Sequence, residues 1–328
     1  MIIQKLNFEE ATKKFQGLSN KLKIPGINPE YVVNDSLNYK NVEPVFLLYE
    51  NNHNIWIHNC LLGEIPNTEY KDIFSSYGYA GPVSNTNERS FINEANNAYL
   101  TWASFNNVVA EFISYHPILK NYRFDNADIL FNRSTVMVDL TRDKPFDLYK
   151  KRTRRDIRKA YRDGVSIELN DKESFIEPFK KIYFKTMIRN LAENSYFFND
   201  NYFSKLIDSK NTFVVTAFKD SKLISAAIFL MSGDYMEYHL SGTSQEGLLS
   251  NANKALLHEA IMYAKVLGIK FAHLGGGSSQ MNDDTLLLFK SGFSKDTINY
   301  SIGKRVIKKT VYEQLSKRKK NNKILHWR

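Results

Sequence analysis

Apolar and polar positions are most regularly patterned in the second half of the chain, where they predict alternating groups of strands and helices. Three apolar runs with short polar breaks predict antiparallel strands over 212–219, 222–231 and 235–241. A one-sided apolar pattern predicts a helix over 252–267, and Gly268 stands where a helix C-terminal glycine belongs. The remaining predicted elements are strands over 165–169, 270–274 and 297–303 and helices over 146–162, 172–191, 202–208 and 284–291. Antiparallel runs followed by β-α-β order predict a mixed α/β fold.

The first half of the chain has a similar but weaker outline. Apolar strands over 45–50 and 55–62 flank the turn-forming cluster Asn51–Asn54, which predicts a hairpin. Residues 75–82 contain too many helix breakers for a helix and predict a shaped loop. Further predicted elements are helices over 8–15 and 87–105 and strands over 108–115 and 135–140. We therefore expect two α/β domains, residues 1–143 and 144–328, with a C-terminal tail that is able to pack back on the first.

Composition is that of a folded protein, with 43% hydrophobic and 24% charged residues. No apolar stretch approaches the ~20 residues that a membrane span needs. The N-terminus shows no signal-peptide pattern, so we expect a cytoplasmic protein. The single cysteine, Cys60, excludes an intrachain disulfide and a multi-cysteine metal site, and no metal is expected.

Charge narrows the choice of partner. Lys and Arg number 45 against 35 Asp and Glu, a net charge of +10, which favours an anionic partner. The densest basic cluster lies in the predicted helix that opens the second half, where Arg154, Arg158 and Arg162 are spaced by four and form one stripe. Either a bound anion offsets the repulsion within this stripe, or pairing with Asp156 and Asp163 leaves an ordinary solvated basic helix.

Five segments, taken in order along the chain, resemble those of the Fem-type transferases, which build peptidoglycan cross-bridges. In the first half these are Tyr77–Pro82 and Glu111–Pro117. In the second half they are Lys151–Ala160, Tyr238–Gly242 with Asn251–Leu257, and His273–Gly277 with Leu288–Phe293. The resemblance covers most of the chain. It implies two tandem GNAT-like domains, a degenerate substrate-binding half followed by an acyltransferase half.

The resemblance implies transfer of an acyl group from an activated carboxyl group to an amine of a cell-envelope precursor or a nucleotide-linked amino sugar. Well-known members use aminoacyl-tRNA and a peptidoglycan precursor, whereas relatives in polysaccharide biosynthesis are expected to use acyl-CoA. The helical-hairpin insertion of many tRNA-using members is absent here, which slightly favours acyl-CoA over the alternative, aminoacyl-tRNA. The glycine-rich pyrophosphate turn of GNAT enzymes is degenerate over 243–250, where one glycine stands. Either donor is a co-substrate, and no permanently bound cofactor is expected.

The same resemblance selects the residues expected to carry the chemistry. Lys290 matches a lysine associated with substrate phosphate and the reaction centre, and its alternative is a helix C-terminal lysine favoured by the dipole. Backbone N–H groups along Tyr238–Gly242 are expected to polarise the donor carbonyl, and the Gly275–Gly277 triplet to form a flexible rim. The catalytic set is Lys290, Glu237, His239, Tyr238 and Ser241, with Glu237 and His239 as candidates for the general base. The substrate-binding set is Tyr77, Tyr79, Arg154, Arg155, Arg158 and Phe289, and the cofactor-binding set is Leu240, Gly242, Asn251 and Asn253.

Two other interpretations remain open on sequence alone. A non-catalytic nucleic-acid-binding protein would use the basic helix and tail, although the aromatic residues are not interleaved with Lys and Arg. A peripheral protein at the inner face of the cytoplasmic membrane would be anchored by Lys317–Arg328, with Leu325 and Trp327 entering anionic lipid. The second interpretation is compatible with a transferase, because a lipid-linked precursor would lie at that face.

Overall fold

The computed structural model describes residues 2–51, 53–170, 173–281, 283–317 and 324–327. The chain divides into two compact units, Met1–Asn132 with Asn299–Arg328, and Arg133–Ile298. The expected division into 1–143 and 144–328 differs from this one at both ends of the second unit. The boundaries between the two units depend on pairing between strands that are distant in sequence, such as residues 302–306 with 110–114. Local composition does not reveal such pairing.

The β-strands are numbered in chain order, and each pairs with at least one other strand. They are β1 (Gln4–Leu6), β2 (Val42–Glu50), β3 (Ile55–Glu64), β4 (Lys71–Phe74), β5 (Val83–Ser84), β6 (Val108–Ser114), β7 (Asp128–Asp139), β8 (Ser166–Asn170), β9 (Thr212–Lys219), β10 (Lys222–Ser232), β11 (Tyr235–Thr243), β12 (Phe271–Gly276) and β13 (Thr297–Val306). The α-helices are α1 (Phe8–Gln16), α2 (Pro29–Ser36), α3 (Arg89–Phe105), α4 (Pro145–Leu148), α5 (Lys151–Arg162), α6 (Ile176–Arg189), α7 (Asp200–Asp208), α8 (Gln245–Leu249), α9 (Ala252–Val266), α10 (Thr285–Lys290) and α11 (Lys309–Ser316).

The first unit is built on a mixed sheet in the order β1-β2-β3-β4-β6-β13, with β5 on the edge of β3. Strands β4 and β6 are parallel, and the other pairs are antiparallel. The predicted hairpin is present, since Asn51 N–H donates to Asn54 O at 3.0 Å between β2 and β3. The pairing of β13 with β6 brings the C-terminal segment into this unit.

The C-terminal residues complete the core of the first unit. Ile324 and Leu325 are 8% and 6% exposed and pack with Phe46, Leu61 and Val109. Trp327 Nε1–H donates to the Asp72 carboxylate. The expectation that Leu325 and Trp327 enter lipid is therefore wrong, because both are engaged in this core. The basic residues Arg318–Lys323 and Arg328 lie outside the described residues. Within the described ranges, no helix combines the length and apolarity that a membrane crossing needs.

The second unit has a sheet in the order β7-β12-β11-β10-β9-β8. Helix α9 packs against α5 and the sheet through its predicted apolar face, where Leu256, Leu257 and Ile261 are at most 1% exposed. The chain leaves α9 through Gly268, which has a φ of +79°, as expected for a helix C-terminal glycine.

Tertiary packing interrupts the helix that the sequence predicts over 146–162. The chain instead forms α4 and α5, separated by Tyr149 and Lys150. Tyr149 is 2% exposed and its ring lies 5.1 Å from that of Phe293, while Lys150 N–H donates to Gly292 O at 2.9 Å. Burying the tyrosine ring requires extended backbone at this point, so the helical pattern is overridden.

Helix α8 lies between the predicted strand over 235–241 and the predicted helix over 252–267, where the sequence predicts no helix. Ser244 caps it, because its Oγ accepts a hydrogen bond from Gly247 N at 3.1 Å. A Cβ at Gly247 would lie 2.3 Å from Ile224 O, so glycine permits the close packing of α8 on β10. Helices α2 and α11 and strand β1 were also not predicted.

Candidate functional site

Strands β11 and β12 separate within the second unit. Their parallel pairing runs only from Tyr235–Glu237 against Phe271–His273. Beyond it, β12 pairs with β7 and β11 pairs with β10 alone. No strand among the described residues pairs with the β12-facing edge of β11 after Glu237. The residues expected to present backbone N–H groups, Tyr238–Gly242, therefore lie in the split part of the strand.

Lys290 ends α10 and is 8% exposed. Its Nζ donates to Gly276 O at 2.7 Å and lies 5.8 Å from the centroid of the Tyr238 ring on β11. Burial lowers the pKa of Lys290 to about 7; nearby Asp284 raises it, and Arg133 lowers it further. A buried amine at this position exists in both protonation states near neutral pH, which neither an exposed lysine nor a simple helix-dipole lysine would do.

The glycine triplet is packed rather than flexible, which corrects the expectation of a flexible rim. Gly275 and Gly276 are buried and belong to β12, and Gly275 has a φ of +76° where the pairing with β7 shifts register. A Cβ at Gly276 would lie 2.9 Å from Arg133 Cδ, and one at Gly277 would lie 2.4 Å from Asp284 Oδ1. Each glycine therefore admits a close neighbour.

Asp284 fixes the segment between the triplet and α10. Its Oδ1 accepts from Leu286 N and Leu287 N at 2.9 and 3.0 Å, as a helix N-cap. Its Oδ2 accepts from Ser278 Oγ at 2.6 Å and from Ser279 N at 2.9 Å. Burial opposes ionisation, but these hydrogen bonds hold the pKa of Asp284 well below its usual range. The carboxylate is therefore structural and charged.

The other predicted catalytic residues of β11 are held by neighbours. Burial raises the pKa of Tyr238, against the hydrogen bond to Ser241, so the phenol stays protonated at neutral pH. His239 is the extra residue of a β-bulge, and its Nε2 lies 2.7 Å from Tyr202 Oη. Burial lowers the pKa of His239 to about 3. Glu237 is 4% exposed and lies in the part of β11 that still pairs with β12.

Helix α6 covers the end of β11. A Cβ at Gly242 would lie 2.6 Å from Tyr183 N, and Leu240 is 3% exposed. Thr243 N donates to Thr186 Oγ1 at 2.9 Å, and Arg189 Nη1 donates to Thr243 O at 2.8 Å. Leu240 and Gly242 can thus meet a donor only through their backbone.

Helix α5 carries the basic surface that the sequence predicted. Its buried face, which includes Thr153 and Ile157, packs inward. A depression of about 890 Å³ is lined by Lys151, Arg152, Arg154, Arg155 and Arg158. A second cavity, of about 620 Å³, shares Lys151 and Arg154 with it and extends to Phe293 and Ser294, shortly after Lys290.

Acidic neighbours compensate only part of this charge. Arg154 lies 4.0 Å from Asp147, and Arg155 lies 3.3 Å from Asp156. Arg158 stacks 5.5 Å from the Phe146 ring. In the described part of the chain, Lys151 and Arg158 have no carboxylate within 4 Å, so this surface suits an anion larger than a single carboxylate.

The start of α9 does not offer an open phosphate cradle. Asn251 adopts a left-handed conformation with φ +57°, and its Oδ1 accepts from Lys254 Nζ at 3.1 Å. Lys254 Nζ also lies 2.6 Å from Asp156 Oδ2, which places a carboxylate near the first turn. Burial opposes ionisation of Asp156, but Lys254 and Arg155 hold its pKa below the usual value. Asn253 is half-buried in the same turn.

Phe289 lies one residue before the buried lysine, but its ring packs into the core. It is half-buried and its centroid lies 5.7 Å from that of Phe293. A substrate-contacting role for Phe289 would therefore rest on its exposed part and its backbone.

The two predicted tyrosines belong to the first unit. Tyr77 and Tyr79 are half-buried, and the Tyr79 ring meets that of Tyr300 edge-on at 5.0 Å. Tyr77 N–H donates at 2.8 Å to Asp35 Oδ2, and Tyr31 Oη–H donates at 2.6 Å to Tyr77 O. Burial raises the pKa of Asp35 to about 7, against the hydrogen bonds from Tyr77 and Asn38. The loop is therefore shaped, as predicted.

Three contributors to the site were missed from the sequence. Arg133 Nη1 donates to Gly277 O at 2.7 Å, Tyr202 holds His239, and Lys254 holds Asp156. None of them has a local signature. Arg133 precedes a predicted strand, which is the only signal that could have drawn attention to it.

Comparison with known proteins identifies the fold. No family model matches the chain. A curated protein of Weissella viridescens, named UDP-N-acetylmuramoylpentapeptide-lysine N(6)-alanyltransferase, is 28% identical over 194 residues, 56% of this chain and 56% of that protein. The chain thus aligns with about half the length of this relative.

Solved structures match over almost the whole chain. The crystal structure of FemX gives a TM-score of 0.74 at 13% identity and covers 96% of this chain and 100% of that one. The C-terminal domain of a putative lysylphosphatidylglycerol synthetase from Agrobacterium fabrum gives 0.60 at 12% identity over 94% of each chain. L-PGS from Bacillus licheniformis gives 0.56 at 12% identity, over 91% of this chain and 90% of that one. These matches confirm the predicted mixed α/β fold of the Fem type.

Proposed function

We propose that this protein, which has a Fem-type fold, is an N-acyltransferase that moves an aminoacyl group from aminoacyl-tRNA to an amine of a peptidoglycan precursor. The observation that carries the proposal is the split between β11 and β12 with buried Lys290 beside it. The alanyltransferase name of the Weissella relative supports the reaction class and the peptidoglycan precursor.

The split strand supplies what acyl transfer needs at the donor carbonyl. Backbone N–H groups along Tyr238–Gly242 can donate to the oxygen on which charge develops, and such preorganised donors are the largest single source of stabilisation in acyl transfer. Lys290 Nζ lies 5.8 Å from the Tyr238 ring, within reach of the same carbonyl. Holding the ester and amine in line at this point lowers the barrier further.

The geometry favours aminoacyl-tRNA over acyl-CoA, which reverses the slight preference drawn from the sequence. The segment that would form the pyrophosphate turn folds into α8, and its one glycine is used for packing on β10. Asp156 places negative charge near the first turn of α9, which disfavours a pyrophosphate there. The continuous basic surface of α5 instead fits the phosphodiester backbone of an RNA.

Arg154, Arg155 and Arg158 are then donor-binding residues. The two cavities that share Lys151 and Arg154 extend from this surface to Phe293 and Ser294, a few residues after Lys290 along the chain. The acylated end of an RNA on α5 would lie on this side of the unit. Tyr77 and Tyr79 remain candidates for binding the acceptor in the first unit. The acceptor is a nucleotide-linked or a lipid-linked precursor.

The test offers purified protein two donors in parallel. One is bulk tRNA charged with all amino acids, and the other is acetyl-CoA. The acceptor is UDP-N-acetylmuramoyl-pentapeptide or its lipid-linked form, and mass spectrometry reads the product. We expect an aminoacyl mass increment that depends on charged tRNA. Transfer from acetyl-CoA but not from charged tRNA would refute the assignment of aminoacyl-tRNA as the donor. Tight RNA binding with no transfer from either donor would favour the non-catalytic nucleic-acid-binding protein.

Lys290→Met tests the residue assignment in the same assay. We expect a fall in kcat of about 10²-fold or more, the usual range for loss of a reacting-centre group. Lys265→Met is the matched control, because Lys265 Nζ also donates to backbone carbonyls, Leu140 O and Arg142 O, both at 2.7 Å. Equal activity of both variants would remove Lys290 from the reaction centre.

A further inference from the structure

The attacking amine needs a proton acceptor, and neither of the two groups that the sequence suggested, Glu237 and His239, is suited to that role. His239 is hydrogen-bonded with Tyr202, and burial lowers the pKa of His239 to about 3, so it takes up a proton poorly. Glu237 lies before the strands separate, in the part of β11 that pairs with β12. His239 therefore lies in the split but accepts a proton poorly, and Glu237 lies outside the split that the proposed function uses.

Lys290 and Arg133 donate hydrogen bonds to two consecutive carbonyls of the glycine triplet. Lys290 Nζ donates to Gly276 O at 2.7 Å, and Arg133 Nη1 donates to Gly277 O, also at 2.7 Å. Gly276 lies so close to Arg133 that a Cβ would meet Arg133 Cδ at 2.9 Å. The guanidinium thus holds the peptide next to the one that binds the amine.

Burial and Arg133 disfavour the charged form of Lys290, and they outweigh Asp284, which favours it. Among the described residues, no carboxylate lies within 4 Å of Nζ. The charged or titratable groups around it are Asp284 of its own helix, Arg133 of β7 and Tyr238 of β11, with Lys150 bonded to the neighbouring Ser291 Oγ at 3.0 Å. The carboxylate oxygens of Asp284 already accept hydrogen bonds from Leu286, Leu287, Ser278 and Ser279. Burial therefore acts without a dedicated counter-ion, consistent with the pKa of about 7 for Lys290.

We propose that neutral Lys290 is the general base of the transfer, and that Arg133 is a positioning residue that fixes the glycine triplet and disfavours the ammonium form of Lys290. This inference rests on the proposed function. The acceptor amine attacks the ester carbonyl carbon and forms the C–N bond. Lys290 Nζ takes the proton from the attacking nitrogen. The resulting ammonium gives that proton to the leaving ribose oxygen as the C–O bond breaks, which yields an amide, a free hydroxyl and neutral Lys290.

The first test is the pH profile of kcat at saturating acceptor for the wild type, Arg133→Gln and Arg133→Lys. We expect wild-type kcat to rise with pH to a plateau with a break near 7. Loss of the guanidinium charge should move the break in Arg133→Gln upward by about half a pH unit or more, so that activity at pH 6.5 falls about 2.5-fold or more and recovers at pH 9. Arg133→Lys keeps the charge and should keep the break.

Two results of that assay would overturn the inference. A wild-type kcat that falls as pH rises through 7 would show that the ammonium is the active form. A loss in Arg133→Gln that is equal at every pH would show that Arg133 is only structural.

A second measurement does not depend on any transfer reaction. Protein labelled with ¹³Cε-lysine is titrated by NMR, and the Lys290 signal is identified by its loss in Lys290→Met. We expect a midpoint near 7 in the wild type and a higher one in Arg133→Gln. A wild-type midpoint near 10 would refute the inference even if transfer is observed. Absence of transfer from both donors, with the expected midpoints, would instead refute the proposed function alone.

Discussion

Arg305→Met should lower the free energy of unfolding of the first unit by about 3–5 kcal/mol, because it removes the guanidinium that the two buried carboxylates Glu111 and Asp125 share. Arg305 lies on β13 and is 8% exposed. Its Nη1 donates to Glu111 Oε2 at 3.0 Å, and its Nη2 donates to the Asp125 carboxylate. The guanidinium also lies 5.1 Å over the Tyr99 ring.

The magnitude follows from what remains after the substitution. Glu111 and Asp125 are 0% and 3% exposed, so neither can turn to water. Glu111 keeps His58 at 2.7 Å, and Asp125 keeps the Tyr115 hydroxyl and the Asn126 N–H, both at 2.7 Å, so the charge of Asp125 is left with neutral donors. Methionine fills much of the space of the arginine stem, so the cost comes from the lost ion pairs rather than from a cavity.

The fluorescence of the protein isolates the relevant unit. The chain has three tryptophans, Trp56, Trp102 and Trp327, and all belong to the first unit. Urea unfolding followed by tryptophan emission therefore reports that unit, whereas far-UV circular dichroism reports both. Lys304→Met, one residue earlier on the same strand and half-buried, removes a cation without stranding those carboxylates, and should cost about 0.5 kcal/mol or less. A loss below about 1 kcal/mol in Arg305→Met, or one equal to that of Lys304→Met, would refute this reasoning.

Three further predictions concern other parts of the molecule. Gly242→Ala should lower both stability and transfer activity, since its Cβ would lie 2.6 Å from Tyr183 N; circular dichroism and kcat measure the two effects. The double variant Lys151→Gln with Arg158→Gln should reduce the salt slope of RNA binding by about 1.5–2, measured by titration at several salt concentrations, and an unchanged slope would exclude α5 from RNA contact. Burial lowers the pKa of His58, but Cys60 and Glu111 together raise it to about 10. The stability that protonation of His58 adds is complete below about pH 6.5 and is lost as pH rises towards 10. The free energy of unfolding measured in urea should therefore fall from pH 6.5 to 9 in the wild type but not in His58→Gln.

Local pattern was enough to predict the elements that bury one regular face. In α9, residues spaced three and four apart are all buried, including Ala260 and Ala264 at 0% exposure. The three antiparallel strands of the second unit were likewise predicted within two residues of their ends, because alternation and turn residues act over short distances.

The site could be predicted only as a set of segments. Lys290 stands in a motif, but its burial and its bond to Gly276 O depend on how α10 packs against β12. Arg133 was missed because its partner Gly277 lies 144 residues away along the chain. Arg305 was missed for the same reason, as Glu111 lies 194 residues before it. Phe289 shows the converse, since an aromatic side chain in a motif can serve the core as well as a ligand.

The return of β13 to β6 has a consequence for the order in which the protein is made. On the ribosome, the segment from Arg133 to Ile298 emerges whole and holds every strand of its own sheet order apart from the first residues of β7. The earlier-synthesised first unit lacks β13, Arg305 and the core residues Ile324 and Leu325 until the residues after the second unit have been translated. Its edge strand β6 and the buried carboxylates Glu111 and Asp125 must wait in the meantime. The unit that begins the chain is therefore the last to be finished.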